Sequence, residues 1–232
     1  MDIVTKVFSY KRDDYNFFER LQEIFNHNTS LEEIYLLDIK NNIVTFENDT
    51  NLLFQRIYYD SKHYDAFRNL YYSFIKNEIF KLFPEEEYLV VQKDPCLRVS
   101  NPNNTALGLK PGDTNDKIGM HSDSDYNHPP EEINYILAIT ELWESNSVYI
   151  ESSYNSGIFD PVRLKWNEYI QFYGNKLRHY NMRNITGKSR VSLDFRIIPF
   201  SKYDANYNKS SVHGNRKFII GDYYIKIKRL DV

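Results

Sequence analysis

The stretch Arg190-Val-Ser-Leu-Asp-Phe-Arg-Ile197 alternates without a break. Val191, Leu193, Phe195 and Ile197 fall on one side, and Arg190, Ser192, Asp194 and Arg196 on the other. A period of two is the mark of a strand, because successive side chains leave opposite faces of a pleated backbone. A strand with one wholly polar face is ordinarily exposed on that side. Here the polar face begins with a guanidinium and a hydroxyl at i, i+2, a pair suited to a two-pronged grip on a carboxylate. The apolar face is therefore expected to pack under another layer, and the polar face to look into a barrel mouth.

The neighbouring sequence repeats this texture. Tyr88–Gln92, Cys96–Ser100, Glu132–Thr140, Val148–Glu151 and Tyr169–Tyr173 are β-rich, and Gly174-Asn175 reads as a hairpin-like turn into Lys176–His179. Short strands with regular turn signals imply a sandwich or barrel rather than a βαβ fold. The first third reads differently. After a short strand at Val4–Phe8, apolar residues recur at helical spacing from Asp13 to His27 and from His63 to Leu82. A shorter helix is expected after Ser30-Leu-Glu-Glu, a turn at Asn41-Asn42, and another helix from Asp49. The expected architecture is mainly β with a helical N-terminal part. Residues 1–85 are expected to pack on a core formed by 86–232 as one compact domain, in the sense that helices buttress a sheet. The tail from Ser201 to Val232 should add a strand or two with its charges solvated, His213 lying in a loop.

Candidate chemistry lies on either side of that core. Met120-His-Ser-Asp123 puts an imidazole and a carboxylate at i, i+2, on one face of an extended backbone. His179 supplies a third donor. Two histidines and one carboxylate converging on one side of an ion match the facial triad of non-haem Fe(II) oxygenases. Arg190 and Ser192 complete a five-residue site. Asn134, a polar residue in an apolar run, needs a partner, either backbone or a bound ligand. Residues 101–119 form a long loop leading straight to His121, and loops of this length inside a domain are commonly functional, so a lid is expected there.

A net charge of −3 with no concentrated basic surface argues against nucleic acid as a partner. No run of eighteen apolar residues is present to span a membrane. The single cysteine, Cys96, excludes an internal disulfide, and the first residues lack the apolar run of a signal peptide. A cytoplasmic protein acting on a small molecule is the plain expectation, with no signal for oligomeric state.

The motif His121-x-Asp123, His179 and Arg190-x-Ser192 resembles that of the Fe(II)/2-oxoglutarate-dependent oxygenases. More narrowly, the stretches Asp123–Asn134, Asn146–Ser152 and Phe172–Arg196 are similar to the streptomycin-biosynthesis-protein-like branch. The loop before His121 is longer than that branch's usual one. The resemblance implies a double-stranded β-helix, the jelly-roll or cupin-like barrel, buttressed by helices. It implies one Fe(II) held by His121, Asp123 and His179. It also implies 2-oxoglutarate with its distal carboxylate on Arg190 and Ser192, and O2 as the other co-substrate. The activity implied is that of a dioxygenase hydroxylating a small polar metabolite (a sugar, aminocyclitol or amino-acid-like compound), releasing succinate and CO2. Desaturation, ring closure and epimerisation stay open beside hydroxylation. Arg98, Tyr126, Asn134, Trp143 and Glu151 are the candidates for lining the substrate pocket. Two other readings compete: a metal-dependent cupin-type isomerase or epimerase of sugars, and a catalytically silent barrel that binds a small molecule.

Overall fold

The computed structural model describes residues 5–37, 50–107, 117–212 and 214–230. Two β-sheets face each other, and helices cover the outer face of the larger one. The strands of the large sheet are β1 (Lys6–Ser9), β2 (Tyr88–Gln92), β3 (Cys96–Ser100), β5 (Ile133–Ala138), β8 (Glu168–Phe172), β10 (Arg190–Pro199) and β11 (Tyr224–Lys228), in the order β1-β8-β5-β10-β2-β11. The small sheet is β4 (Ile118–His121), β9 (His179–Asn181), β6 (Val148–Glu151) and β7 (Phe159–Pro161), in the order β4-β9-β6-β7. Among the described residues neither sheet closes on itself, so the observed arrangement is two open sheets rather than a hydrogen-bonded barrel.

The alternating stretch is β10, and it is the centre of the large sheet. One edge pairs with β5 through Ser192↔Ala138 to Ile197↔Ile133. Its other edge is shared, with Arg190–Asp194 on β3 and Ile197–Pro199 on β2. Val191, Leu193, Phe195 and Ile197 join a core with Phe67, Tyr71 and Phe74 of helix α3 (Tyr64–Asn77) and with Phe17, Leu21 and Phe25 of α1 (Phe17–Phe25). The Phe195 ring stacks on Tyr135 at 5.2 Å and meets Tyr71 edge-on at 5.3 Å. Each such buried side chain stabilises the fold by about 1.5–3 kcal/mol relative to exposure. The apolar half of the alternation thus faces the helices, as its phase requires.

Strand β5 shows the same division from both sides. Ile133, Tyr135 and Leu137 belong to the helix-side core, whereas Ile136 and Ala138 turn inward to a second cluster with Val148, Ile150, Ile170, Phe172 and Leu177 between the sheets. That inner cluster fills one end of the space between the sheets. Arg190, Asp194 and Arg196 on the polar face of β10 line a cavity together with Ile136, Val148 and Phe172 of that cluster.

Several local expectations shift by a few residues. The helix expected over His63–Leu82 breaks into α3 and a 3-10 turn at Ile79–Leu82. The segment after Ser30 is a 3-10 helix, Leu31–Leu36, whose Ser30 side chain accepts from the Glu32 amide. Helix α2 runs Thr50–Asp60, and the turn at Asn41-Asn42 lies outside the described residues. Gly174-Asn175 does not link two strands of one sheet: β8 is in the large sheet and β9 in the small one, so this turn carries the chain across the gap. His213 and residues 108–116 of the expected lid also fall outside the described residues. The described start of that loop is packed, with Thr105 and Ala106 buried and Asn103 and Asn104 exchanging backbone hydrogen bonds with Asn184. No described helix is long and apolar enough to cross a membrane.

Candidate metal centre and its cavities

His121 ends β4, Ser122 continues extended, and Asp123 opens a 3-10 turn, Asp123–Tyr126. The i, i+2 relation therefore holds through one extended residue rather than along a strand. Asp125 supports the bend: its carboxylate accepts from the Ser122 amide at 2.8 Å and from the Ser122 hydroxyl at 3.0 Å. His179 opens β9 and sits directly across from His121 in the small sheet. Asp123 Oδ1 lies 3.7 Å from His121 Nε2 and 3.6 Å from His179 Nε2, and the three donor atoms lie within 4.8 Å of one another.

Each of these side chains is held so that a lone pair points at the same spot. The Nδ1 of His121 reaches the Gly119 carbonyl at 2.6 Å, and that of His179 the Leu177 carbonyl at 3.0 Å. A carbonyl only accepts, so both protons are placed on Nδ1 and both Nε2 atoms are left as donors to a cation. Burial pushes the His179 imidazole down to about 4, with His121 adding to that and Asp123 opposing it, so the ring is neutral at pH 7. On Asp123, Oδ2 accepts from Asn134 Nδ2 at 2.6 Å and from Arg196 Nε at 2.9 Å. Burial alone would raise this carboxyl, but the Arg196 guanidinium holds it well below the usual carboxylate range. Asp123 Oδ1 is buried and has no hydrogen-bond partner. A buried, ionised oxygen without a donor, facing two free imidazole nitrogens, fits a divalent metal ion.

A second group, Asp123, His128 and Glu132, also clusters within 4.8 Å. Its donor atoms are spent, however. His128 Nδ1 is 2.7 Å from Glu132 Oε2, Tyr224 donates to Glu132 Oε1, and Arg196 Nε stands 2.9 Å from Asp123 and 3.6 Å from Glu132. A guanidinium already fills the place a cation would take.

Two cavities meet at the triad. The inner one, about 50 Å³, runs between the sheets past His121, His179, Asn134, Asn181, Asp194 and Arg190. Its far end is Arg190, 1 % exposed, whose Nη1 donates to the Asn146 carbonyl at 3.1 Å and to Asn181 Oδ1 at 3.3 Å. The Arg190 Nε and the Ser192 hydroxyl are buried with no partner. Burial lowers the Arg190 guanidinium to about 10, which leaves it charged at neutral pH, and among the described residues no carboxylate lies within ion-pair distance. The outer cavity, about 510 Å³, opens from His121 and Asp123 toward Tyr59, Asp94, Tyr126 and Arg216. Arg98, Leu107, His121 and Arg196 line both.

The remaining sequence candidates divide clearly. Arg98 lines both cavities with its Nε on Asp194 at 3.0 Å, and Tyr126 lines the outer one with its ring 4.7 Å from that of His121. Asn134 lines the inner cavity, but its amide is engaged on both ends, donating to Asp123 and accepting from the Gly174 amide at 3.1 Å. Its partners are therefore the carboxylate ligand and backbone. Trp143 and Glu151 line neither cavity. Trp143 belongs to the turn after β5, its amide donating to Asn146 Oδ1. Glu151 is turned to Arg178 at 2.7 Å and to the Gly157 amide at 2.8 Å. Glu132 and Asn181 are not candidates on sequence grounds, and Arg196 is placed there only on the inward polar face, with Asp194 as a candidate partner, whereas it meets Asp123 instead. The phase of β10 could have marked Arg196, since it shares the inward face with Arg190.

No family model matches the chain. Over 140 residues it is 33% identical to the streptomycin biosynthesis protein StrG of Streptomyces griseus, a match covering 60% of this chain and 61% of that protein. The chain thus spans about three fifths of the curated relative it matches. Among solved structures it is similar to the non-heme monooxygenase ThoJ in complex with nickel, at 11% identity and a TM-score of 0.49, covering 96% of this chain and 83% of that one. It is also similar to CytC3 with Fe(II) and alpha-ketoglutarate, at 13% identity and a TM-score of 0.43, covering 97% and 99%. Across the matched 140 residues this chain is a homologue of StrG.

Proposed function

We propose that this chain is an Fe(II)- and 2-oxoglutarate-dependent oxygenase acting on a small polar metabolite. One observation carries the reading: a single cavity is lined by His121 and His179, whose Nε2 atoms face Asp123 Oδ1, and by a buried Arg190 that has no described carboxylate within ion-pair distance. A buried guanidinium with an idle Nε beside an idle Ser192 hydroxyl is costly unless an anion completes it. A dicarboxylate reaching from Arg190 toward the metal ligands would complete both ends at once. The spacing supports this, because Asn181, which touches Arg190, follows His179 by two along β9, roughly 7 Å away on the same face.

Three protein donors suit a facial Fe(II) site with positions left for co-substrates. When bound, that metal and 2-oxoglutarate would supply the oxidising chemistry, with succinate and CO2 as co-products. The chain's own part is placement. Asp123 offers Oδ1, His121 and His179 offer Nε2 with Nδ1 held on backbone carbonyls, and Arg190 and Ser192 anchor the far carboxylate. Val148, Ile136 and Phe172 wall the inner cavity with apolar surface, which excludes water from the reacting end. The outer cavity, with Arg98, Tyr126 and Arg216 on its lining, would take the metabolite next to His121.

The test is anaerobic addition of Fe(II) and 2-oxoglutarate to the purified chain. A weak visible charge-transfer band is expected, followed by succinate release when O2 is admitted. His179→Ala should abolish both while leaving the near-UV circular dichroism unchanged. Undiminished succinate formation in that variant removes the assignment.

A further inference from the structure

We propose that Arg196 is a positioning residue that fixes how Asp123 meets the metal: with Asn134 it occupies Oδ2, leaving Oδ1 as the only oxygen Asp123 can offer. This rests on the metal centre described above and adds to it the part that sets its carboxylate. A carboxylate free to rotate can bind a cation through one oxygen or both. Asp123 is not free. Its Oδ2 takes two donors at 2.6 and 2.9 Å from two strands of the large sheet, Asn134 on β5 and Arg196 on β10, which pair directly in register. Its backbone is tied as well, the Asp123 amide donating to the Gly174 carbonyl at 2.8 Å.

Arg196 is itself held from behind. Glu132, fully buried, stands 3.6 Å from the Arg196 Nε and is fixed by the Tyr224 hydroxyl and by His128 at 2.7 Å. The Arg196 Nη1 has Gln92 Oε1 and the Tyr223 hydroxyl at 3.4 Å. The Nε of the guanidinium therefore faces two carboxylates, Asp123 at 2.9 Å and Glu132 at 3.6 Å, which use its charge within the protein. A one-oxygen Asp123 keeps the protein's share of the coordination to three atoms, so 2-oxoglutarate and O2 find positions open. Partners of this kind behind a metal ligand change metal affinity by about 10–100-fold when removed.

The experiment titrates the metal-free full chain with Co(II) alone, by calorimetry and by visible absorption, in the wild type and in Arg196→Gln, Arg196→Lys and Asn134→Ala. Near-UV circular dichroism before metal addition reports the fold. The expected result is a Co(II) Kd raised about 10–100-fold in Arg196→Gln with a changed visible band, as the carboxylate binds through either or both oxygens. Arg196→Lys should recover most of that loss, and Asn134→Ala should show a smaller one. A folded Arg196→Gln with a Kd within two-fold of wild type and an unchanged band overturns the proposal. Should Arg196→Gln fail to fold, Arg196→Lys and Glu132→Gln, which releases the guanidinium without removing it, are read in its place. Wild-type affinity and band in Glu132→Gln would equally overturn it. A wild type that binds Co(II) but shows no response to 2-oxoglutarate defeats the oxygenase reading alone. A wild type that binds no Co(II) defeats this inference together with the metal centre.

Discussion

Arg190 and Arg196 stand on the same inward face of β10, and both are largely shielded from water, yet they keep opposite company. Arg196 lies between two carboxylates, Asp123 and Glu132, at 2.9 and 3.6 Å. Arg190 has only a backbone carbonyl and the Asn181 amide oxygen, with its Nε idle. One strand thus carries a cation whose charge is met inside the protein and another whose charge is not. The difference separates a side chain that builds a site from one kept in reserve for a ligand. It also predicts that replacing each by an apolar residue of similar size will act on stability in opposite directions.

The largest effect belongs to Arg196→Met. It leaves two buried carboxylates facing each other without their counter-charge, which costs about 3–5 kcal/mol. Urea unfolding of the metal-free chain should show it as a lowered midpoint. Arg190→Met removes a buried charge that has no described carboxylate within ion-pair distance, and its stability should stay level or rise by about 1–4 kcal/mol. Equal losses in the two variants would erase the contrast.

Next in size is the response to ligand. With metal present and 2-oxoglutarate at a hundred times its Kd, the wild type should gain about 2.7 kcal/mol. Arg190→Met should gain nothing from 2-oxoglutarate while still gaining from the metal. A calorimetric melt with and without each ligand reads both, and a full 2-oxoglutarate gain in the variant would move the anion site elsewhere.

The two arginines also show what the sequence made legible. Their shared face follows from the period of two, and so does the apolar face under the helices, because pleating fixes the side from which each side chain leaves. The convergence of His121, Asp123 and His179 was legible as residue types and order, and Arg190-x-Ser192 as a pair. The carboxylate partners of Arg196 were not. Glu132 comes from the turn before β5 and Asp123 from a turn after β4, so only the assembled sheets place them round one guanidinium. Trp143 and Glu151 fail for the converse reason. Both have chemistry suited to a pocket, but Trp143 sits in the turn after β5 away from both cavities, and the Glu151 carboxylate is taken by Arg178 and by the Gly157 amide. Strand pairing across the gap was the missing information, which is also why Gly174 looked like a hairpin turn.

Gly174 sharpens the Arg196 side of the comparison. A Cβ there would stand 2.6 Å from Asn134 Nδ2 and 2.7 Å from its Oδ1. Gly174→Ala must displace the Asn134 amide, and crowding of this kind costs about 1–3 kcal/mol. Because that amide is one of the two donors to Asp123 Oδ2, the variant should lose Co(II) affinity as well as stability. The anion end should keep its 2-oxoglutarate response once metal is saturating. Co(II) titration beside a urea melt checks both, and an intact Co(II) affinity would show that Asn134 contributes nothing to holding Asp123.

The smallest effect is a control drawn from the other sheet. Glu151 is buried on β6, and hydrogen bonds from Arg178, against the cost of burial and with help from the Gly157 amide, lower its carboxyl from 4.5 to about 2. A carboxyl that is more acidic folded than unfolded binds fewer protons in the native state, so its contribution is whole above pH 4.5 and fades as pH falls toward 2. Glu151→Gln should flatten that part of the stability profile and leave Co(II) and 2-oxoglutarate binding untouched, since Glu151 lines neither cavity. Arg178 is well exposed at 40 %, so water screens the pair and the change in midpoint should be slight. If the variant instead lost 2-oxoglutarate binding, the small sheet would be transmitting strain to β9, where His179 and Asn181 stand, and the two arginines of β10 would no longer account for the site alone.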